Sequence, residues 1–130
     1  MLSLAPKPFG EVLQLSQQFC AGDDLIFQLE SGFGLLRVLA VEPETGVWHL
    51  MAYEDLFPDV ESAERALAEP ESLRVRQAHM ALTNRAFERT PAARLGNRPV
   101  TTAELAGYQT WIDNRGEVSD RSALLMLGMR

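Results

Sequence analysis

Three side chains in this sequence belong to the types that carry nucleophilic or soft-metal chemistry: Cys20, His49 and His79. A cysteine hydrolase or transferase needs a thiolate, an imidazole within hydrogen-bond reach and surroundings that lower the thiol pKa. Cys20 with His49 or His79 supplies the residue types. The local sequence, Cys20-Ala21-Gly22-Asp23-Asp24, opposes the surroundings, because neighbouring carboxylates keep a thiol protonated. Cys20 therefore reads as a small buried apolar residue. The same three residues are widely separated along the chain, so neither a zinc site nor a cofactor is expected. Asp23 and Asp24 lack the alternating acids and the glycine of a calcium loop, and adjacent strand residues point to opposite faces. Gly32 and Gly34 form a Gly-x-Gly without the third glycine or the following helix of a dinucleotide fingerprint. These patterns assign no catalytic, cofactor-binding or metal-binding residue. A small hydrolase or transferase using Cys20 or a histidine stands as the alternative to a binding role.

Recognition chemistry has better material. Trp48, Arg74 and Arg76 are the candidate partner-binding residues, since tryptophan and arginine dominate interface hot spots. Trp48 falls on the strand face opposite Val47, His49, Met51 and Tyr53, so one of these two sets is expected outside the core. Arg74 and Arg76, two apart on a strand, share a face. The formal charge of −6 is uneven. Residues 1–70 hold twelve acids against Lys7, Arg37 and Arg65, whereas residues 71–130 hold six acids against nine arginines. The second half thus suits an acidic protein partner or the acidic half of a second copy. An acidic chain repels a phosphate backbone at long range, which disfavours nucleic acid and leaves an arginine-mediated nucleic-acid role as a second alternative.

The elements that must position these residues can be read from pattern. A chain of 130 residues with 46% hydrophobic and 23% charged residues is the composition of one globular domain spanning residues 1–130. No apolar run approaches the roughly 20 residues of a membrane span. The leading residues, with Lys7, Pro6 and Pro8, lack the apolar block of a secretory signal, and one unpaired cysteine fits a reducing compartment, so a cytoplasmic location is expected. Residues 1–22 read as a short helix or irregular lead. Asp24 to Leu29, Phe33 to Val41 and Val47 to Tyr53 read as an antiparallel meander turned at Glu30-Ser31-Gly32 and at Pro43-Glu44-Thr45-Gly46. The middle run is apolar on both faces except at Arg37, the pattern of a central strand covered on both sides, with Leu36 and Val38 in the core. Asp59 caps a helix ended by Pro70, and residues 73–82 favour a strand. Residues 94–100 suit a loop or short edge strand. Thr101-Thr102-Ala103-Glu104 has the form of a capping box opening a helix with Leu105, Tyr108 and Ile112 as its inner stripe, Trp111 beside them and Gly116 as its left-handed terminator. Residues 119–130 form a short helix or strand. Together these predict an α+β domain: an antiparallel, partly barrel-like sheet with two or three covering helices.

The stretch Gly22 to Tyr53 carries Gly-Asp-Asp-Leu-Ile-Phe, then Gly-Phe-Gly-Leu-Leu-Arg-Val-Leu, then Trp-His-Leu-Met. In this quarter of the chain it resembles the opening of the immunity family numbered twenty-six, small cytoplasmic proteins of bacterial polymorphic toxin systems. The resemblance implies a non-enzymatic protein-binding module with an immunity-like, toxin-neutralising role, and it transfers no functional residue. Two features separate the classes. An enzyme is expected to show a pocket where Cys20 or a histidine converges with other polar groups, and a binding module an exposed aromatic patch.

Overall fold

Gly32–Glu42, apolar on both faces, forms the central strand β2 of a five-stranded antiparallel sheet. Asp23–Leu29 (β1) and Val47–Tyr53 (β3) flank it, Val75–Leu82 (β4) lies outside β3, and Ala92–Asn97 (β5) lies outside β1. The computed structural model describes residues 19–129. The lead expected over residues 1–22 falls mostly outside that range. The helices are Val60–Leu67 (α1), Asn84–Glu88 (α2), Ala106–Asp113 (α3) and Ala123–Leu127 (α4), with a 3-10 turn at Pro70–Ser72. The domain is α+β as expected, with the meander, the strand near residues 73–82 and the edge strand near residues 94–100 all present. The sheet is open, because β4 and β5 are its two edges and do not pair with each other.

Both faces of the sheet are covered. On one, Leu25, Phe27, Leu36, Val38, Trp48, Leu50, Met80 and Leu82 pack with Ala86 and Phe87 of α2 and Ala123 and Leu127 of α4. On the other, Ile26, Leu35, Leu39, Met51 and Tyr53 pack with Ala63 of α1 and with Leu73. The expectation that one face of β3 lies outside the core is corrected here: Trp48 and the set of Val47, His49, Met51 and Tyr53 are all buried. Covering layers on both sides remove the solvent face that a simple two-layer sheet would keep. Leu36 and Val38 are fully buried, as expected.

Arg37 is also fully buried. A guanidinium has five N–H donors and cannot lose its charge, so it survives burial only if acceptors surround it. Its Nε and Nη2 donate to the two oxygens of Glu104 (2.7 and 3.1 Å), and Nη1 donates to Asp24 Oδ1 (3.2 Å) and the Gly22 carbonyl (2.9 Å). Nη2 also donates to the carbonyls of Arg98 and Pro99, each at 3.0 Å. Arg98 in turn forks onto both oxygens of Asp24 (2.8 and 2.9 Å) and reaches the Tyr53 hydroxyl. Burial raises the Glu104 pKa, but the Arg37 bond and the Thr101 amide hold this carboxyl below its usual value.

This network ties the 98–104 segment to the sheet and so aims α3. The expected capping box forms: the Thr101 amide donates to Glu104 Oε1 (2.9 Å) and the Glu104 amide to Thr101 Oγ1 (3.1 Å). Regular α-helix begins at Ala106, and the Glu104 carboxylate is also held by Arg37. At the far end the left-handed residue is Arg115 (φ 49°) rather than Gly116. Gly116 is required for another reason, since the Trp111 ring lies where a Cβ would stand. The inner stripe is Leu105, Tyr108 and Trp111, and Ile112 points outward.

Gly22 takes φ +93°, and a Cβ there would collide with the Arg98 carbonyl that Arg37 binds. Gly22→Ala is therefore expected to cost about 1–3 kcal/mol, read as a lowered urea midpoint, because it combines left-handed strain with displacement of an acceptor. An unchanged midpoint would contradict this packing.

Candidate functional site

β2 and β3 are joined by a four-residue reversal with Gly46 at φ 73°. Their register sets Glu42 opposite Val47, which makes His49 the diagonal neighbour of Glu42. Simple alternation from Arg37 would send Glu42 to the opposite face. A bulge between Val38 and Ala40 shifts the phase, so Val41 pairs with Trp48 on one face and Glu42 joins Val47 and His49 on the other. On the next strand Ala81 pairs with His49, and His79 is again a diagonal neighbour.

The result is a line of three polar groups under α3. His49 Nε2 lies 2.5 Å from Glu42 Oε2, and His49 Nδ1 lies 2.9 Å from His79 Nε2. A carboxylate only accepts, so His49 Nε2 carries the proton; neutral His49 then accepts at Nδ1 from His79 Nε2–H. The lone pair left over is on His79 Nδ1. Burial pushes the His49 pKa down, with Glu42 acting in the opposite direction. Burial, and then the proximity of His49, lowers His79 to about 4. Both imidazoles are neutral at pH 7.

Two rings of α3 roof this pair. Tyr108 lies 4.2 Å from His49 between ring centroids, and Trp111 meets it edge-on at 4.6 Å. The helix comes this close to β4 at Gly107, where a Cβ would be 2.8 Å from His79 Cβ. Trp111 Nε1 donates to the Glu117 carbonyl (2.9 Å), which holds the returning chain against the helix.

Two hollows meet at Trp111 and Val118. One, of about 620 Å³, is lined by Glu42, Val47, Tyr108, Trp111, Ile112 and Val118 among others. The other, of about 410 Å³, has His79, Ser119, Arg121 and Met126 on its walls. Ile112 is 44% exposed, Val118 38%, Met126 42% and Leu125 67%. Trp111 and Val118 line both hollows and so connect Ile112 of α3 to Met126 of α4 in an apolar strip.

The residues singled out by sequence lie elsewhere. Trp48 is inside the core, stacked on Phe87 at 4.1 Å and donating to Asn84, and presents no surface. Arg74 is exposed, just before β4, within 3.9 Å of Glu54. Arg76 is exposed and donates to the Leu127 carbonyl. Other second-half arginines face acids: Arg85 meets Asp120, Arg94 meets Asp23 and Arg98 meets Asp24. The expectation that Cys20 is buried is corrected, since it is exposed. Its sulfur neighbours Asp23 and Asn97 rather than an imidazole. Burial raises the Asp23 pKa, and bonds from Asn97, the Cys20 amide and Arg94 more than offset this, leaving it below normal. Among the described residues no three His, Cys, Asp or Glu side chains are grouped to hold a metal, and no helix is long and apolar enough to cross a membrane.

The sequence names both histidines as possible partners of Cys20 or zinc ligands, but not as partners of each other. Glu42 was missed, and a diagonal-neighbour search across the 43–46 reversal would have found it only once the bulge was known.

Because both histidine pKa values are lowered on folding, the unfolded chain binds more protons between pH 6.5 and about 4. Stability is therefore complete above pH 6.5 and is lost as pH falls through that window. The urea midpoint should drop between pH 7 and pH 5, and His79→Gln, which keeps a donor to His49, should show a smaller drop; equal drops would contradict the assignment. No protein-family model, curated protein or solved structure matches the chain.

Proposed function

We propose that the chain is a non-enzymatic protein-binding module that engages its partner through the apolar strip of α3, Val118 and α4. The observation that carries this reading is the set of three exposed apolar side chains, Ile112, Val118 and Met126, that share the walls of the two adjoining hollows with Trp111. Contiguous exposed apolar surface with an aromatic at its centre is the usual form of a contact patch. Its placement differs from the expectation built on Trp48, Arg74 and Arg76, of which only the two arginines remain at the surface. The partner is a protein, as the toxin partner of an immunity protein would be. A cytoplasmic site of action accords with an exposed thiol that has no cysteine to pair with. Nucleic acid is the poorer partner, because Arg85, Arg94 and Arg98 already spend their charge on carboxylates.

One observation favours a second reading. Glu42, His49 and His79 form an orienter, a middle group and a terminal base, and His79 reaches a hollow. That is the arrangement of a general base acting on a bound small molecule.

The test is capture of the partner from host cells by the wild-type chain, purification of that partner, and titration against Val118→Asp and Met126→Asp. Both positions are exposed, so the variants fold. The reading predicts binding weakened by about tenfold or more, the scale of a lost hot-spot contact. Undiminished binding by both variants would overturn it. Turnover of a small ester lost in His79→Gln would instead establish the enzymatic reading.

A further inference from the structure

Glu42 sits in the larger hollow with a charge that nothing nearby neutralises. Its side chain is 29% exposed, half-sunk among Val47, Tyr108, Trp111 and Val118. Oε2 accepts from His49, and Oε1 accepts from the Thr45 hydroxyl (3.1 Å). Both donors are uncharged when His49 is neutral, and each carboxylate oxygen keeps a free lone pair. Among the ion pairs of the described residues, Glu42 faces only His49. Arg115, on the wall of the same hollow, is exposed and makes no ion pair with it. A partly desolvated negative charge beside two aromatic rings is costly without a cation. Tyr108 and Trp111 line the hollow, and aromatic rings attract a cation that lies over them.

We infer that this hollow receives a lysine or arginine side chain from the partner protein, the cationic head meeting Glu42 and the apolar stem lying along Tyr108, Trp111 and Val118. The inference rests on the protein-binding reading and adds the chemistry of what is bound. Lysine and arginine suit the site because both carry an apolar stem ending in a charge. An arginine adds a planar group that stacks on a ring and forks onto a carboxylate.

The experiment uses five-residue capped peptides, Ac-Ala-Leu-X-Leu-Ala-NH2, with X arginine, lysine, norleucine or glutamate, titrated into the full chain. The readout is the indole N–H resonance of Trp111. The Trp48 resonance, from a ring buried on the opposite face of the sheet, serves as an internal control for an intact fold. The arginine and lysine peptides should bind about fivefold more tightly than the norleucine peptide, the glutamate peptide should bind weakest, and the preference should shrink at high salt. In Glu42→Gln, which retains an acceptor for His49, the arginine, lysine and norleucine peptides should bind alike. Should that variant not fold, Tyr108→Leu retains the charge while removing one ring, and should also reduce the preference. Equal binding of norleucine and arginine peptides to the wild-type chain would overturn the cation assignment while leaving an apolar contact surface intact. Failure of every peptide to move Trp111 would overturn the assignment and count against the strip as a contact surface as well.

Discussion

Burying a guanidinium at the centre of the middle strand is the constraint around which this domain is organised. Arg37 cannot shed its charge, so the chain must bring acceptors to it. It does so from three separate places: the Gly22 carbonyl and Asp24 at the start of β1, the Arg98 and Pro99 carbonyls after β5, and Glu104 before α3. A buried ion pair of this kind adds little net stability over an apolar replacement, whereas breaking it leaves a charge stranded. Its contribution is orientation. The position of Gly22 and the course of residues 98–104 both serve to satisfy one side chain.

The surface we read as functional is built on that orientation. α3 lies over His49 and His79 because Glu104 anchors its approach and because Gly107 and Gly116 allow close contact with β4 and with the Trp111 ring. The bulge in β2 then turns Glu42 under the same roof. Neutral imidazoles, His49 buried and His79 half-buried, support the aromatic roof from below, and the roof's outer side, with Ile112, Val118 and Met126, is what a partner would meet. The Glu42–His49–His79 line accounts for the buried side chain of His49 and the half-buried one of His79 without requiring catalysis. It fixes the tautomers, satisfies His49 at both nitrogens, and keeps the Glu42 charge in place.

Periodicity exposed most of the fold because each strand carries its own pattern. Leu36 and Val38 announced a doubly covered centre, and the turns at Glu30-Ser31-Gly32 and Pro43-Glu44-Thr45-Gly46 fixed the meander. The same doubly covered rule was not extended to β3, where aromatic residues on both faces suggested that one set was exposed; α1, α2, α3 and α4 together cover both. Thr101 and Glu104 were legible as a capping box, but the second engagement of Glu104 depends on Arg37, 67 residues away. The site itself was the least legible part. His49 and His79 are 30 residues apart, and their meeting depends on the β3–β4 register, which a long connection leaves unspecified locally. Glu42 depends on a bulge that leaves no local mark in alternation. Cys20 attracted attention by residue type alone, and its position beside Asp23 gives it no imidazole.

The central claim is that the Arg37 network holds α3 on the sheet. Glu104→Gln tests it most directly, since the amide keeps the side-chain shape and an acceptor for the Thr101 amide while placing a donor or a weaker acceptor against the guanidinium. Native-state hydrogen exchange of the α3 amides, including the Gln109 amide bonded to Leu105, should be compared with that of Leu36 to Leu39 in β2. The account predicts that exchange in α3 accelerates by a larger factor than in β2, as local opening of the helix from the sheet. An acceleration no greater in α3 than in β2 would show that the helix is held by something other than Arg37.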